Sequence, residues 1–343
     1  MRTQASNHPD PRPHPLRWAL GLLALGLLGV FLGLGVGVDG WSWPWGQDTT
    51  LSPQVVWDLR LPRSLGAWLV GALLGLAGAL GQSLFRNPLA DPYLLGSASG
   101  AGLGVALGLV VAQGLGPGWG PQGAPWLAWG AGVLSFAGAW LAVMLALIWS
   151  GGLAHTPRLL LAGVVVGVIL SALTSALMLM VPQAWAGFQA FMLGTTQALD
   201  LWGLLTLALG LLLCLTLVWR WAPALDVLSL GEDTAQSMGM HLSRTRSVLI
   251  LAMTLATSLA VSHTGLMAFV GLAAPHLARS LVHPKPSTLP LWSVLTGGLL
   301  LVLADGVSRW WWSPLEWPVG VVTALIGGLY LLHRLGRKPR GTA

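Results

Sequence analysis

Residues 59–104 read LRLPRSLGAWLVGALLGLAGALGQSLFRNPLADPYLLGSASGAGLG and contain an apolar run from 64 to 84. A run of about 20 apolar residues can cross a bilayer as a helix. Small residues recur at every fourth position, and this spacing places them on one helix face, where they let helices pack closely in lipid. The stretch therefore predicts closely packed membrane helices, and the small residues predict packing seams rather than ligand sites. The positions are Ala67, Gly71, Gly75 and Ala79, then Gly96, Gly100, Gly104 and Gly108, with a similar series at Gly29, Gly33 and Gly37.

The composition of the whole chain is that of a membrane protein. Of the 343 residues, 55% are hydrophobic and 8% are charged, and the mean hydropathy is +0.73. Soluble domains carry about 25% charged residues. The sequence pI is near 10.7, but the basic residues are scattered singly between apolar runs, which excludes nucleic-acid binding. The single cysteine, Cys214, carries no redox or metal signal.

Apolar runs between charges or Pro- and Gly-rich breaks predict an all-α, polytopic membrane protein with about ten transmembrane helices. The first run is too long for a signal-peptide core of about 7 to 15 residues and lacks a small-residue cleavage site, which favours a retained helix. We expect residues 1–15 to be a disordered cytoplasmic tail, 16–336 the membrane domain, and 337–343 a second cytoplasmic tail. The predicted spans lie near 17–38, 64–84, 94–113, 125–149, 159–181, 201–221, 247–263, 266–283, 289–308 and 318–335.

The positive charge is distributed unevenly between the two membrane sides. All but three of the 17 Lys and Arg residues fall in segments that alternate to one side. Basic residues in short loops mark the cytoplasmic side, so both termini are predicted to be cytoplasmic. Arg60, Arg63 and Arg309 are left on the outer side. An acidic partner that docks from outside would explain them, and the alternative is anchoring of helix ends at lipid headgroups.

The chain lacks the residues of an enzyme. Its two lysines, Lys285 and Lys338, do not lie in a phosphate-binding loop that ends in Gly-Lys-Ser/Thr. No His, Cys and carboxylate cluster has metal-ligand spacing, and no Ser/His/Asp set stands out. We therefore expect no cofactor or metal on this chain, and any ATP must be hydrolysed by another polypeptide.

An ion-coupled secondary transporter is the alternative from another class of protein. Such a transporter is expected to bring ionisable residues together at the membrane midplane. Asp305 is the only carboxylate within a predicted span, and pairing with Arg309 four residues later is its simplest role.

The longest predicted cytoplasmic loop, 222–246, contains a short helix signal. Ser229 and Glu232 form an S-x-x-E capping box, the helix can continue to about Met238, and Gly239 can end it. Such a helix could sit in a groove of a soluble subunit, or it could be an ordinary surface helix.

Five motifs occur along the chain, namely the stretch at 59–104, RLLLAG (158–163), LDVLSLGEDTAQSMGM (225–240), GLMAFVGLAAPHLAR (265–279) and LADGVSRWWWSPLEWPVGVVTALIGG (303–328). In this order they resemble the membrane permease of FecCD-type ABC importers. The resemblance covers about residues 16–336 and implies the type II ABC importer permease fold, a homodimer in the bacterial inner membrane, two cytoplasmic ATPase subunits and a periplasmic substrate-binding protein. It implies alternating access and import of a ferric siderophore or heme, with cobalamin as the alternative cargo.

The resemblance assigns roles to three groups of residues. The LRLPR and LADGVSR motifs place Arg60, Arg63 and Arg309 where the family's permease meets acidic residues of the binding protein. A cytoplasmic gate falls at His155, Thr156 and Pro157, although this chain reads AHTPR where the family commonly has smaller, hydroxyl-rich residues. The ATPase-coupling helix corresponds to Ser229, Leu230, Gly231, Glu232, Asp233, Ala235, Met238 and Gly239.

Histidines and tryptophans have both structural and cargo-binding interpretations. Pro275 breaks a helix, and His276 is expected to support that break rather than to contact cargo. His263 could approach a metal chelate, but a satisfied polar residue is the favoured interpretation. The tryptophans predict an aromatic belt at the membrane interface rather than a stacking surface. They include Trp41, Trp43, Trp45, Trp119, Trp126 and Trp310 to Trp312.

Overall fold

The computed structural model describes residues 15–37, 40–42, 52–114, 125–152, 156–311 and 315–336. Within these ranges the chain forms twelve α-helices and a short antiparallel pair of strands, β1 (Val36–Gly37) and β2 (Gly40–Trp41). A π-helical turn, Val55–Arg60, leads into the second helix, and 3-10 turns lie at Pro92–Leu95 and Pro182–Ala184. The helices are α1 (Pro15–Gly35), α2 (Leu61–Leu84), α3 (Ser97–Gly114), α4 (Pro125–Trp149), α5 (Thr156–Met180), α6 (Trp185–Leu193), α7 (Leu201–Ser229), α8 (Glu232–Ser237), α9 (Leu242–Thr264), α10 (Val270–Val282), α11 (Leu289–Trp310) and α12 (Val319–Gly336).

The predicted all-α membrane protein is confirmed, and each predicted span contains one helix. Among the described residues, seven helical segments are long and apolar enough to cross a membrane, and α3 and α12 contain shorter apolar helices. At 13 residues, α10 is shorter than the roughly 20 residues that a full crossing needs. The helices therefore establish a multi-pass protein but not the number of ten crossings. The sequence did not predict α6, because its nine residues are too few to register as a span.

The predicted tails lie outside the described residues, except that Pro15 begins α1. The predicted belt is described only in part. Trp43, Trp45, Trp119 and Trp312 lie outside the described residues, as does the side chain of Trp126. The side chains of Trp41, Trp310 and Trp311 are exposed.

Helix α2 is the centre of the bundle. Nearly all of its side chains are buried, and Leu73, Leu74, Leu76 and Leu80 are among the largest fully buried side chains of the described chain. A helix that is apolar on every face lies either in lipid or in a protein core, and the burial of α2 places it in the core of the bundle. The helices α1, α7, α9, α10 and α11 all pack against α2.

The predicted small-residue seams are confirmed as helix contacts. Gly71 faces the carbonyl of Gly297, and Gly75 faces the carbonyl of Ser293, so that α2 and α11 pack backbone to backbone. The residue numbers rise along α2 as they fall along α11, which makes the two helices antiparallel. Close approach through glycine provides the van der Waals contact that holds helices together in lipid. In the same way, Gly100 brings α3 against α4.

A non-helical segment, residues 265–269, separates α9 from α10. Gly265 and Phe269 have φ angles of +72° and +66°. The backbone groups of the segment find partners inside the protein: the N–H of Leu266 donates to the carbonyl of Phe191 (3.1 Å), and the hydroxyl of Tyr93 donates to the carbonyl of Met267 (3.4 Å). Irregular backbone is tolerated at membrane depth only where protein satisfies it in this way. Pro275 lies inside α10, and its predicted helix-break role stays a prediction.

The contact between α2 and α10 can be tested at Gly78. An added Cβ there would fall on the backbone carbonyl of Gly271. We expect Gly78→Ala to destabilise the protein by about 1–3 kcal/mol, because the rigid helices must move apart. The thermal midpoint of the detergent-solubilised protein measures the effect. Gly21→Ala is the control, because nothing lies within 4 Å of a Cβ at that exposed position. Equal losses of stability in the two variants would contradict the close approach.

Candidate functional site

Arg60, Arg63 and Arg309 lie at the same end of the bundle. Arg60 closes the π-helical turn before α2, Arg63 is in the first turn of α2, and Arg309 is in the last turn of α11. Because α2 and α11 are antiparallel, the start of one lies beside the end of the other. We call this the arginine end.

Arg309 is buried and fully engaged inside the protein. Its side chain is 1% exposed, and it forms an ion pair with Asp305, which is 0% exposed. One terminal nitrogen donates to the carbonyls of Gly33 (3.0 Å) and Val36 (3.1 Å), and the other donates to the hydroxyl of Ser64 (3.1 Å). The predicted pairing of Asp305 with Arg309 is confirmed. Arg309 thus ties the end of α1 to α2 and α11, and it offers almost no surface to a partner in this conformation.

Arg63 lies between two carboxylates. Its Nε donates to Asp305 Oδ1 (3.2 Å) and to the hydroxyl of Thr196 (3.3 Å). Its Nη1 donates to both carboxylate oxygens of Glu316 at 3.0 Å. The Thr196 hydroxyl donates to Asp305 Oδ1 (2.5 Å), and the Gln197 amide donates to Glu316. The side chains of Arg63 and Glu316 are 13% and 8% exposed.

Arg60 is also buried, and it bonds to the last turn of α1 and to the segment that follows it. Its Nη1 donates to the carbonyl of Leu34 (2.9 Å) and to the hydroxyl of Ser42 (3.1 Å). The binding-protein docking role of Arg60, Arg63 and Arg309 stays a prediction. Of these three, Arg63 is the most exposed.

Sequence reasoning missed four side-chain partners of these arginines, namely Ser42, Ser64, Thr196 and Glu316. Glu316 carried a usable signal, because it is an acidic residue in the same predicted outer region as the three arginines. The hydroxyl partners had no comparable signal, since serine and threonine are frequent in all loops.

At the opposite end of the bundle, α8 is held by its first residue. The Oε1 of Glu232 accepts from Arg246 of α9 (2.6 Å) and from Arg86 (3.4 Å), which lies in the turn after α2. Arg246 is buried and Arg86 is half exposed, so the pair with Arg246 contributes the firmer contact. Within α8, the side chain of Ala235 is buried. These contacts connect α8 to both α2 and α9.

The outer surface of α8 carries two exposed apolar side chains. Leu230, before the helix, and Met238, after it, are each 63% exposed. Asp233 and Gly239 are exposed on the same short segment. An apolar pair flanked by polar positions is suited to contact another protein.

The predicted capping box does not form, and this corrects the sequence interpretation. Ser229 is the last residue of α7, and its hydroxyl donates to the carbonyl of Asp226 (2.6 Å). An N-cap needs a non-helical backbone, and here Gly231, with a φ angle of +114°, occupies that position without a side-chain cap. Gly239, with a φ angle of +80°, follows the helix as predicted, and its N–H donates to the carbonyl of Gln236 (2.9 Å).

The other predicted positions are placed as follows. His155 lies outside the described residues. Thr156 is the first residue of α5, although its side chain is not among those described, and Pro157 is exposed. The gate therefore stays a prediction. The ring of His276 packs edge-on against Tyr330, with ring centroids 6.1 Å apart, and its helix-break role also stays a prediction.

His263 is a satisfied polar residue, as the favoured interpretation proposed. Its Nε2 lies 2.8 Å from the hydroxyl of Thr206, and its Nδ1 lies 2.9 Å from the carbonyl of Leu259. The ring borders a cavity of about 420 Å³ that is also lined by Phe136 and Asp200.

A second cavity, of about 580 Å³, was not predicted from the sequence. It lies between residues 91–99 and α5, and small residues such as Gly96 and Gly167 form much of its wall. Burial raises the pKa of Asp91 at its edge, and the hydrogen bond from the backbone N–H of Tyr93 (2.8 Å) opposes that shift.

Comparison with solved structures defines the class of protein. A solved structure assigned as a metal-chelate type ABC transporter, in an inward-facing conformation, matches with a TM-score of 0.81 and 27% identity, over 93% of this chain and 99% of that chain. PsaBC from Streptococcus pneumoniae, in complex with Fab, matches with a TM-score of 0.57 and 19% identity, over 81% and 91% of the two chains, which shows the fold alone. The fold is that of the membrane permease of an ABC transporter.

The chain belongs to the FecCD transport family, whose sequence profile matches residues 21–337. Two curated relatives are each named vitamin B12 import system permease protein BtuC and are 35% identical over 326 residues. One, from Escherichia coli O17:K52:H18 (strain UMN026 / ExPEC), matches 94% of this chain, and the other, from Salmonella typhi, matches 95%; each match covers 96% of the relative. Family membership confirms the resemblance and replaces the secondary-transporter alternative.

The buried ion pair at the arginine end should control stability. We expect Asp305→Asn to cost about 3–5 kcal/mol, because it leaves Arg309 buried without its carboxylate. Thermal unfolding in detergent measures this loss. Asp58→Asn removes an exposed carboxylate near Arg60 and should stay within about 0.5 kcal/mol of wild type. A loss at Asp305 no larger than at Asp58 would contradict the structural role of the pair.

Proposed function

We propose that this chain is the permease subunit of an ATP-driven importer that moves a bulky metal chelate into a bacterial cell. The protein would lie in the inner membrane with the arginine end outward and both termini in the cytoplasm. The distribution of basic residues supports this orientation. The match to importer permeases over nearly the whole chain supports the function.

The observation that carries the proposal is the placement of α8. It is a six-residue helix at the end of the bundle opposite to the arginines, tied by Glu232 to α2 and α9 and flanked by exposed Leu230 and Met238. Movement of a soluble subunit that grips these two side chains would be transmitted into the centre of the bundle. We propose that an ATPase subunit binds here, that ATP is hydrolysed on that subunit, and that this chain binds no cofactor.

We propose a homodimer with ten crossings in each subunit, served by two ATPase subunits. The segment 265–269 together with α10 would supply the crossing that α10 is too short to make alone. An even number of crossings would place both termini on one side, in agreement with the basic residues near each terminus.

At the arginine end we propose docking of a periplasmic binding protein through acidic residues. Charge complementarity of this kind chiefly raises the rate of encounter and fixes orientation. Cargo would then pass through the dimer by alternating access, with the predicted segment at His155, Thr156 and Pro157 acting as the cytoplasmic gate.

The cargo that we propose is a metal chelate. The relatives are named for vitamin B12, and the matched structure is assigned to the metal-chelate type, whereas the sequence resemblance favoured a ferric siderophore or heme. Cobalamin is therefore the first cargo to test, with the iron chelates beside it.

Uptake into proteoliposomes tests the proposed function. The vesicles contain this chain with the ATPase subunit of the same import system, and the loaded binding protein is added outside. We expect accumulation of one labelled chelate among cobalamin, ferric siderophore and heme, only with ATP inside and the binding protein outside. Uptake that is independent of both would contradict an ABC importer.

Substitution at α8 tests the coupling surface. We expect Met238→Asp to reduce ATP-dependent uptake by at least about tenfold, because a charge there opposes burial against the ATPase. Co-purification of the ATPase subunit should fall in parallel, while the thermal midpoint stays unchanged. Ser237→Ala is the control on the same helix, since that side chain is exposed and its hydroxyl bonds only locally to Thr234. Full uptake and full ATPase binding by Met238→Asp would exclude α8 from the interface.

A further inference from the structure

Arg63 pairs with two carboxylates, Asp305 and Glu316, and the two differ in how easily their pair with Arg63 can be broken. Asp305 is completely buried and accepts from Arg63, Thr196 and Arg309. Removing Asp305 from these partners would leave buried charge without compensation. Asp305 is therefore a fixed partner of Arg63.

Glu316 is placed differently. It lies in the non-helical stretch 315–318 between α11 and α12, next to the exposed side chain of Leu315. Its carboxylate contacts the Nη1 of Arg63 and the amide of Gln197, which is itself exposed. Although the Glu316 side chain is only 8% exposed, it can swing towards solvent without breaking a helix, and Arg63 then keeps its pair with Asp305.

The arginines at this end also differ in their partners. Arg63 pairs with both Asp305 and Glu316, whereas Arg309 pairs with Asp305. Arg60 and Arg309 direct hydrogen bonds to backbone carbonyls at the end of α1. Among the described residues, the Arg63 guanidinium donates hydrogen bonds to side chains only, and Glu316 is one of its acceptors.

We propose that Glu316 is an internal competitor for the docking partner. It holds the Nη1 edge of Arg63 when the permease is undocked, and a carboxylate of the binding protein replaces it there on docking. This inference rests on the proposed function, and it narrows the docking prediction: Arg63 meets the partner, whereas Arg60 and Arg309 hold the helix ends. Glu316 thereby sets how tightly the binding protein docks.

The competition makes a prediction of unusual sign, because removing a charge from the docking surface should improve docking. In Glu316→Gln the side chain keeps its length but no longer neutralises Arg63 or repels an acidic partner. We expect the dissociation constant of the binding protein to fall by about three- to tenfold, mainly through faster association. The gain should shrink at high salt, where charges near solvent are screened.

The test uses the complete permease–ATPase complex in lipid nanodiscs and the cobalamin-loaded binding protein of the same system. Biolayer interferometry at low and high salt follows their association. Asp58→Asn is the matched control, because it removes one exposed carboxylate two residues before Arg60 in the chain and should leave the dissociation constant within about twofold of wild type. Arg63→Gln should weaken docking. Gln197→Ala should tighten docking slightly, because it loosens Glu316 without altering any charge.

The outcomes separate the two proposals. If wild type and every variant fail to bind any binding protein, the proposed function is overturned and this inference with it. If wild type binds but Glu316→Gln binds equally or more weakly, competition by Glu316 is overturned and the proposed function stands. A thermal midpoint for each variant identifies unfolding. If Glu316→Gln is unfolded, the dissociation constant of Gln197→Ala decides: a lower value than wild type supports competition by Glu316, and an unchanged value overturns it. Equal tightening by Asp58→Asn would assign the effect to net charge alone and overturn the inference.

Discussion

The burial of charge at the arginine end is the constraint on which the ends of several helices depend. Moving a carboxylate or a guanidinium out of water costs several kcal/mol per ion even after relaxation, so each charge must find partners. Asp305 receives hydrogen bonds from Arg63, Arg309 and Thr196, which come from α2, α11 and the segment before α7. Arg309 in turn binds the carbonyls that end α1. One buried carboxylate thereby fixes four separate parts of the chain relative to one another.

Below this cluster, the bundle is held by backbone contact rather than by charge. Lipid tails are as apolar as leucine, so burying leucine against a neighbouring helix gains little in a membrane, and close packing must replace it. The glycines of α2 meet backbone atoms of α11 and α10 for this reason. The same tight packing lets residues 265–269 leave the helical conformation, because neighbouring backbone and a tyrosine hydroxyl satisfy their polar groups. Helix α2 runs from Arg63 at the arginine end to the turn that carries Arg86, which pairs with Glu232 of α8.

The sequence was sufficient for those features that depend on local pattern. Apolar runs located ten of the twelve described helices, the spacing of small residues identified the packing face of α2, and the i, i+4 spacing paired Asp305 with Arg309. Features that depend on distant residues were missed. Nothing local in Glu232 indicates that its partners are Arg86 and Arg246, and nothing local in Arg63 points to Glu316, 253 residues away. The predicted capping box was wrong because α7 continues through Ser229. Its side chain suits an N-cap, but its backbone is helical, whereas an N-cap needs a non-helical backbone.

The structure places a buried charge cluster at one end of the bundle and two exposed apolar side chains beside a short helix at the other, with α2 between them. Our central claim is that these two ends act together in an ABC importer. The most direct test measures ATP hydrolysis by the reconstituted permease–ATPase complex in nanodiscs before and after the loaded binding protein is added. The account predicts that docking at the arginine end raises the hydrolysis rate at the far side of the membrane. A rate that is unchanged while the binding protein is demonstrably docked would contradict it.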